Sequence, residues 1–266
     1  SAYGALGNEF FRWFDIRYAE SITLSGQLSI RWMEKHINEY LNKTLDTNDV
    51  DYVIACDTDS MYITLDKLVA KTFENKKAER DDILRWMDLV AGKVFEPFID
   101  KTFTKLAKHV NAYEQKMFMK REAIADKGIW TAKKRYALHV YDMEGVRYNE
   151  PQMKVMGLET QRSSVPLICR DNMKAALRLI FEKDEKALMD FVANFRSKFT
   201  SLSFEDVAFP RGVKGLDKYK NDVTIYNKGT PIHVRGALVF NNMLKEHDIE
   251  QQYNPIYEGD KIKFCY

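Results

Sequence analysis

The chain has 266 residues, of which 45% are hydrophobic and 30% are charged, so it can bury a core as one large domain or two smaller ones. Its 41 lysines and arginines nearly balance 39 aspartates and glutamates, which excludes a uniformly basic or acidic protein. The three cysteines and five histidines lack the spacing of a disulfide framework or a zinc site. No long apolar run or signal-peptide pattern occurs, and we expect a cytoplasmic protein with no membrane partner.

The first part of the chain is predicted to combine long helices with a β-hairpin. Apolar residues recur every three or four positions from Asn8 to about Leu45, which is typical of an amphipathic helix, with a bend or joint at Gly26. Two short apolar runs, Tyr52 to Cys56 and Met61 to Leu65, predict the two strands of a hairpin. Helical spacing returns from Asp81 to His109.

Pro97 lies inside this last helix and should kink it. Strand-like segments follow at Lys116 to Met119, Ile129 to Thr131 and Arg135 to Tyr141. Together with the hairpin these segments could form one antiparallel sheet with helices packed on one face. The sequence therefore predicts an α+β fold.

The chain after Gly157 is predicted to be mainly helical, and we place a domain boundary there. Two helices are expected, Pro166 to Phe181 and Glu185 to Phe199, the first with Ser164 as its N-cap. The remainder, from Ser203 to Tyr266, is expected to be irregular with short strands or helices.

The strongest chemical signal is Asp57-Thr58-Asp59-Ser60 at the tip of the predicted hairpin. Two carboxylates so close are tolerated when a cation neutralises them or when one is protonated. Mg²⁺ prefers a few carboxylates together with water and phosphate oxygens, so an open pair suits phosphoryl transfer. The alternative is a turn whose aspartates only accept hydrogen bonds from backbone amides. A calcium loop is excluded because Leu68 occupies the position of its bidentate glutamate.

Four blocks of the sequence resemble, in the same order, motifs of the family B DNA polymerases, most closely those of T-even-like bacteriophages. The blocks are Ser1 to Asn8, similar to the end of the Lys…Asn-Ser-x-Tyr-Gly motif; Asp57 to Ser60, similar to Tyr-Gly-Asp-Thr-Asp-Ser; Phe118 to Ala125, similar to the strand that follows in the phage enzymes; and Thr131 to Ala137, similar to Lys-Lys-Arg-Tyr. Further along, Met156 to Ser164 and Ile232 to Gly236 resemble segments of the polymerase thumb.

The resemblance implies two domains of a DNA-directed DNA polymerase. Residues 1–157 would be the C-terminal part of the palm, beginning inside the nucleotide-binding motif, and residues 158–266 an incomplete, mainly helical thumb. The implied activity is template-directed nucleotidyl transfer with two Mg²⁺ ions, for which Mn²⁺ can substitute. The implied partners are primer-template DNA and deoxynucleoside triphosphates, and the implied location is the host cell cytoplasm.

The resemblance also implies roles for individual acids. Asp57 and Asp59 would be the catalytic residues that hold the metal ions, and Glu122 would be an auxiliary metal ligand. For Glu122 a salt bridge to Arg121 or Lys120 is an equally weighted alternative.

Two further sets of residues are implied to contact the substrates. The nucleotide-binding set is Tyr3, Gly4, Thr58 and Ser60. The DNA-binding set is Lys133, Lys134, Arg135, Tyr136, Arg162 and Ser163. The alternatives are a core position for Tyr3, a solvated basic strand for the Lys-Lys-Arg-Tyr block, and a helix start for Arg162 and Ser163.

The sequence departs from the family pattern in two ways. Ala55 and Cys56 replace the usual Tyr-Gly before the acids, and we expect Cys56 to be a small buried residue. The other palm aspartate, the triphosphate-binding loop and the fingers lysine of the family are not in the sequence. We therefore expect the chain to be inactive alone and to need a complementary N-terminal polymerase chain, as in a split gene product, a processed chain or a protein-splicing product joined at Ser1.

Two other functions are weighed beside the polymerase. One is a catalytically inactive module that binds primer-template DNA. The other is a metal-dependent hydrolase or cyclase built on a similar acid-tipped hairpin, which would have no use for the Lys-Lys-Arg-Tyr block.

Overall fold

The computed structural model describes residues 2–74 and 77–265. Ser1, the first residue of the block Ser1 to Asn8, and Tyr266, the last residue of the segment Ser203 to Tyr266, lie outside the described residues. The helices are α1 Ala2–Leu6, α2 Ile16–Leu45, α3 Asp66–Phe73, α4 Arg80–Val90, α5 Glu96–His109, α6 Leu167–Glu182, α7 Glu185–Phe199, α8 Phe204–Val207, α9 Leu216–Tyr219 and α10 Ile232–Glu246. The strands are β1 Val53–Asp57, β2 Ser60–Ile63, β3 Ala123–Ala132, β4 Arg135–Met143, β5 Val146–Met156, β6 Phe209–Gly212, β7 Lys220–Asn221, β8 Ile225–Tyr226 and β9 Lys261–Phe264.

The chain divides into two compact units. Unit 1 comprises Ser1–Asp126 and Val140–Gln152, and unit 2 comprises Lys127–His139 and Met153–Tyr266. The strands β3, β4 and β5 each run from one unit into the other. The mixture of helices with small sheets agrees with the predicted α+β class.

Helix α2 differs from its prediction in two ways: it does not begin at Asn8, and it has no joint at Gly26. It begins at Ile16, where the Asp15 carboxylate accepts a hydrogen bond from the Arg17 N–H at 2.9 Å. This bond is the usual way in which an aspartate caps a helix. The segment from residue 8 to residue 14 forms turns instead of helix, and α2 continues through Gly26 without a joint.

The core of unit 1 lies between α2, the β1–β2 hairpin and α5. Its buried residues are Met33, Ile37, Leu41, Tyr52, Val53, Phe95, Ile99, Phe103 and Leu106. Strands β1 and β2 pair antiparallel, with Asp57 opposite Ser60. The predicted hairpin is therefore confirmed, and one of its faces packs on the helices.

The helix predicted around Pro97 is present, with an irregular turn before the proline. Residues Ala91–Phe95 form a π-helical turn between α4 and α5. Proline has no N–H to donate to the carbonyl four residues earlier, which here belongs to Lys93, and its ring crowds that carbonyl. The π turn is how the chain accommodates Pro97 in a continuous helical stretch.

The prediction of a single antiparallel sheet was wrong. The hairpin forms a two-stranded sheet of its own, and β3, β4 and β5 form a separate three-stranded sheet in that order. The segment Lys116 to Met119 is not a strand. The Gln115 side chain bonds both the N–H and the carbonyl of Met117, each at 2.6 Å, and so occupies groups that a neighbouring strand would need.

Unit 2 contains the two predicted helices α6 and α7. Ser164 is not the N-cap of α6, since that helix starts directly after Pro166 without a side-chain cap. The helix α10 lies in the region predicted to be irregular. It packs in a second core, whose buried residues are Val213, Leu216, Val234, Ala237 and Leu238. Short antiparallel pairs, β6 with β9 and β7 with β8, complete this unit.

No helix within the described part of the chain is both long enough and apolar enough to cross a membrane.

Candidate functional site

The two predicted catalytic acids lie at the tip of the β1–β2 hairpin. The Asp57 carbonyl accepts hydrogen bonds from the Asp59 N–H at 2.7 Å and from the Ser60 hydroxyl at 3.1 Å. The Thr58 hydroxyl donates to the Asp57 carboxylate at 3.1 Å. Asp57 is half-buried, whereas Thr58 and Asp59 are exposed. The tip therefore presents its carboxylates on a backbone fixed by local hydrogen bonds.

Thr58 has an unusual backbone conformation, with φ at 56°. A β-branched residue rarely adopts a positive φ because its side chain crowds the backbone. Such strain is found where the surrounding structure imposes it, often at functional sites.

Helix α2 fixes the start of the strand that carries these acids. The side-chain amide oxygen of Asn38, Oδ1, accepts hydrogen bonds from the N–H groups of Tyr52 and Val53 at 2.8 and 3.2 Å. One turn later the Asn42 side chain bonds both the N–H and the carbonyl of Val50. Sequence reasoning missed this connection. The available signal was two asparagines four residues apart inside a long helix, where asparagine is unfavourable unless its side chain has a partner.

Cys56 was expected to be buried, and this was wrong because the residue is exposed on β1. Partial burial by its neighbours, together with the carboxylates of Glu34 and Asp51, raises the pKa of the Cys56 thiol to about 11. The thiolate is therefore scarcer at neutral pH than in an ordinary cysteine.

Tyr3 and Gly4 lie in the short helix α1. Tyr3 is 47% exposed, so it is not the core tyrosine of the alternative interpretation. Contact with a nucleotide stays a prediction for both residues.

Glu122 precedes β3 in unit 1 and lines a cleft of about 680 Å³ together with Asp88 and Glu144. Its neighbour Arg121 donates to Asp142 at 2.5 Å and to Asp88 at 2.7 Å. Among the residues from 2 to 74 and from 77 to 265, no three histidine, cysteine, aspartate or glutamate side chains come together as metal ligands. A metal site shared by Glu122 with the hairpin acids stays a prediction.

The predicted DNA-binding block lies at the tip of another hairpin, in unit 2. Lys133 and Lys134 are the two exposed residues between β3 and β4, and Lys134 has a positive φ of 60°. Tyr136 is buried, and its ring stacks on Trp130 with 6.3 Å between ring centroids. The two lysines are thus accessible to a partner, whereas the tyrosine supports the hairpin from inside.

Two further predicted DNA-binding residues are brought together by an acid that sequence reasoning did not single out. Arg135 donates to the Glu159 carboxylate at 2.6 Å. This hydrogen bond, together with the nearby charge of Arg162, lowers the pKa of Glu159. Ser163 follows as an exposed residue. The structure therefore gathers Arg135 and Arg162 around one carboxylate.

Gly157 explains how the chain after β5 approaches the basic hairpin. Its φ is +67°, and a Cβ atom at this position would lie 2.0 Å from the Lys134 carbonyl oxygen. Only glycine permits this contact, so the position of the lysine turn depends on it.

The chain is similar over 98% of its length to two DNA-directed DNA polymerases. It is 37% identical over 270 positions to the polymerase of Enterobacteria phage T4 and 38% identical over 271 positions to that of Escherichia phage RB69. The matched region is 30% of each phage protein, so the chain spans less than a third of the length of these relatives. No protein-family model matches the chain.

Both relatives are T-even-like phage polymerases, and the similarity extends over nearly the whole chain, so the resemblance to this family is confirmed. The chain belongs to the T-even-like family B DNA polymerases, of which it corresponds to one segment.

Proposed function

We propose that the chain is the C-terminal palm part, residues 1–157, and part of the thumb, from residue 158 onward, of a DNA-directed DNA polymerase. Its substrates are primer-template DNA and deoxynucleoside triphosphates, and it acts in the host cell cytoplasm. The observation that carries the proposal is the Asp57 to Ser60 tip, held on a hairpin that α2 fixes, in a chain similar along nearly its whole length to phage polymerases.

The donor chemistry of Asp57 and Asp59 fits Mg²⁺ or Mn²⁺, since both are hard oxygen ligands at an open, water-accessible tip. When bound, two such ions supply the charge neutralisation that nucleotidyl transfer needs at the primer end and at the triphosphate. The chain's own part is to hold the two carboxylates in a fixed direction. Glu122 is an auxiliary ligand, and Tyr3, Gly4, Thr58 and Ser60 contact the nucleotide.

The primer-template is held by the basic hairpin of unit 2. Contacts from Lys133, Lys134, Arg135 and Arg162 to phosphates do not depend on base sequence, as an enzyme that copies any template requires. Ser163 adds a hydroxyl beside them, and the buried Tyr136 fixes the strand that presents them.

The activity requires a complementary N-terminal polypeptide, which supplies the remaining polymerase sequence. Large apolar side chains are exposed at the start of the chain, including Phe10 at 89% and Trp13 at 65%. Several large apolar side chains exposed within one stretch of a chain are a common feature of interfaces. We expect the complementary polypeptide to cover it.

A primer-extension experiment tests the proposal. The chain assembled with the complementary polypeptide should extend a primed template with Mg²⁺, and Asp59→Asn should reduce extension to the background of the assay. DNA affinity should stay within about twofold, because a carboxylate attracts the metal and not the phosphates. Asp66→Asn, at an exposed aspartate that begins α3, is the matched control and should extend normally.

Near-normal extension by the Asp59→Asn protein would exclude the proposed role of that acid. A second candidate function is a catalytically inactive module that binds primer-template DNA. It is favoured by the exposed lysine turn of unit 2. An assembled protein that binds the duplex tightly but extends nothing would identify the module.

A further inference from the structure

Asp142 of β4 is a carboxylate that is only 2% exposed, and two arginines surround it. Arg121 donates to one carboxylate oxygen at 2.5 Å, and Arg147 donates to the other at 3.3 Å. The Gly145 N–H also donates to this carboxylate, at 3.1 Å. A buried charge requires such partners because removing it from water is costly. All four residues belong to unit 1.

Arg121 has a second acidic partner, Asp88 on α4, at 2.7 Å. One guanidinium therefore connects α4 to β4. A planar fork with several donors suits this double contact, which a lysine cannot reproduce.

The network holds the segment that carries Glu122. The Glu122 carbonyl accepts a hydrogen bond from the Glu144 N–H at 2.6 Å. Glu144 and Gly145 form the two-residue turn between β4 and β5, and both have a positive φ, as a type I′ hairpin requires. Asp142 thus bonds both the turn that contacts Glu122 and the arginine that precedes it in sequence.

We propose that Asp142, acting through Arg121, is a positioning residue that fixes the direction of Glu122 for metal binding. The inference rests on the proposed function, in which Glu122 is an auxiliary metal ligand. Stability alone is a weak reason for such a network, because well-packed apolar residues often stabilise a core as much as a buried ion pair does. What the ion pairs add is a defined geometry.

Arg147 provides a matched control, because it bonds the same carboxylate but is not a sequence neighbour of Glu122. The test compares Arg121→Gln with Arg147→Gln in the chain assembled with the complementary polypeptide, without nucleotide. Binding of Mn²⁺ is titrated by electron paramagnetic resonance. Arg121→Gln should weaken Mn²⁺ binding roughly tenfold, the loss typical of outer residues that orient a ligand. Arg147→Gln should change it by less than about twofold. Equal losses in the two variants would overturn the inference.

A double-mutant cycle separates positioning from general damage. If Arg121 acts through Glu122, Arg121→Gln combined with Glu122→Gln should bind Mn²⁺ no more weakly than Glu122→Gln alone. Additive losses would overturn the inference. Should Arg121→Gln fail to fold, Arg121→Lys keeps the charge without the double contact, and it should also weaken Mn²⁺ binding.

Asp59→Asn in the same titration separates a failure of the proposed function from a failure of the positioning role. If it weakens Mn²⁺ binding while Arg121→Gln does not, the proposed function stands and the positioning role fails. If Asp59→Asn has no effect, the metal role in the proposed function fails.

Discussion

Three aspartates show how surroundings decide what a carboxylate does in this chain. Asp142 is buried between two arginines, where it orders the backbone around it. Asp59 is exposed at a hairpin tip, where its oxygens are open to a cation. Asp15 lies at the start of α2, where it bonds the backbone N–H and the side chain of Arg17.

Asp15 leads to a prediction about pH. Its hydrogen bonds with Arg17, from the side chain first and then from the backbone, lower the pKa of Asp15 to about 2 from an ordinary value of 3.8. Because the folded-state pKa is lower, the cap stabilises the protein fully above about pH 4, and this contribution is lost as the pH falls toward 2. Asp15→Ala should therefore melt at a slightly lower temperature at neutral pH, and the difference from the unchanged protein should shrink below about pH 4.

Thermal melting followed by circular dichroism from neutral pH down to about pH 3 checks this prediction. Arg17→Ala is the control, because it keeps the backbone cap but removes the charged partner. The decrease in melting temperature should be smaller for Arg17→Ala than for Asp15→Ala. A difference between the Asp15→Ala protein and the unchanged protein that stays constant over this range would contradict the assigned pKa.

At this scale the sequence makes Asp57 and Asp59 candidate metal ligands because their signal is local: two acids, separated by one residue, lie between two apolar runs. It cannot identify Asp142. That residue is 21 positions from Arg121, and only the fold brings the two together. The same holds for Asn38, whose side chain bonds backbone groups 14 and 15 positions away.

At the scale of elements, patterns of apolar residues predicted the hairpin and most long helices. They failed where polar contacts or strand pairing determine where an element begins or whether it forms. The start of α2 was misplaced because aromatic residues between Asn8 and Asp15 repeat at helical spacing, although the Asp15 cap begins the helix later. Strand β5 was missed because its sequence is largely polar and includes a proline. This strand forms because it pairs with β4, and a local sequence pattern does not indicate such pairing.

Replacing either of two glycines with alanine should change the stability of the protein, but in opposite directions. Gly157→Ala should destabilise the protein by about 2 kcal/mol or more, because its φ is +67° and the new Cβ would overlap the Lys134 carbonyl. Gly26→Ala should stabilise it by about 1 kcal/mol, because alanine is the better helix former and the added methyl group meets no atom within 4 Å. Urea unfolding of both variants measures the changes. A stabilising Gly157→Ala would show that the turn at Lys134 is not packed on residue 157.

At the scale of the whole molecule, charge is nearly balanced, with a formal net charge of +2. Such a chain is not drawn to DNA by its overall field, so affinity must come from local groups such as the exposed lysine turn between β3 and β4. An exposed lysine in that turn should therefore contribute more to DNA affinity than an exposed lysine elsewhere.

Lys133→Ala should weaken binding to any duplex and reduce the slope of log affinity against log salt concentration by about 0.9, the value for one lost phosphate contact. Lys186→Ala, at an exposed lysine of α7, removes the same charge from the molecule and should leave the slope unchanged. Fluorescence anisotropy of a labelled primer-template at several salt concentrations measures both slopes. Because the two variants have the same net charge, a difference between them can come only from position. If the two slopes fall equally, net charge governs DNA binding and the hairpin at Lys133 has no special part in it.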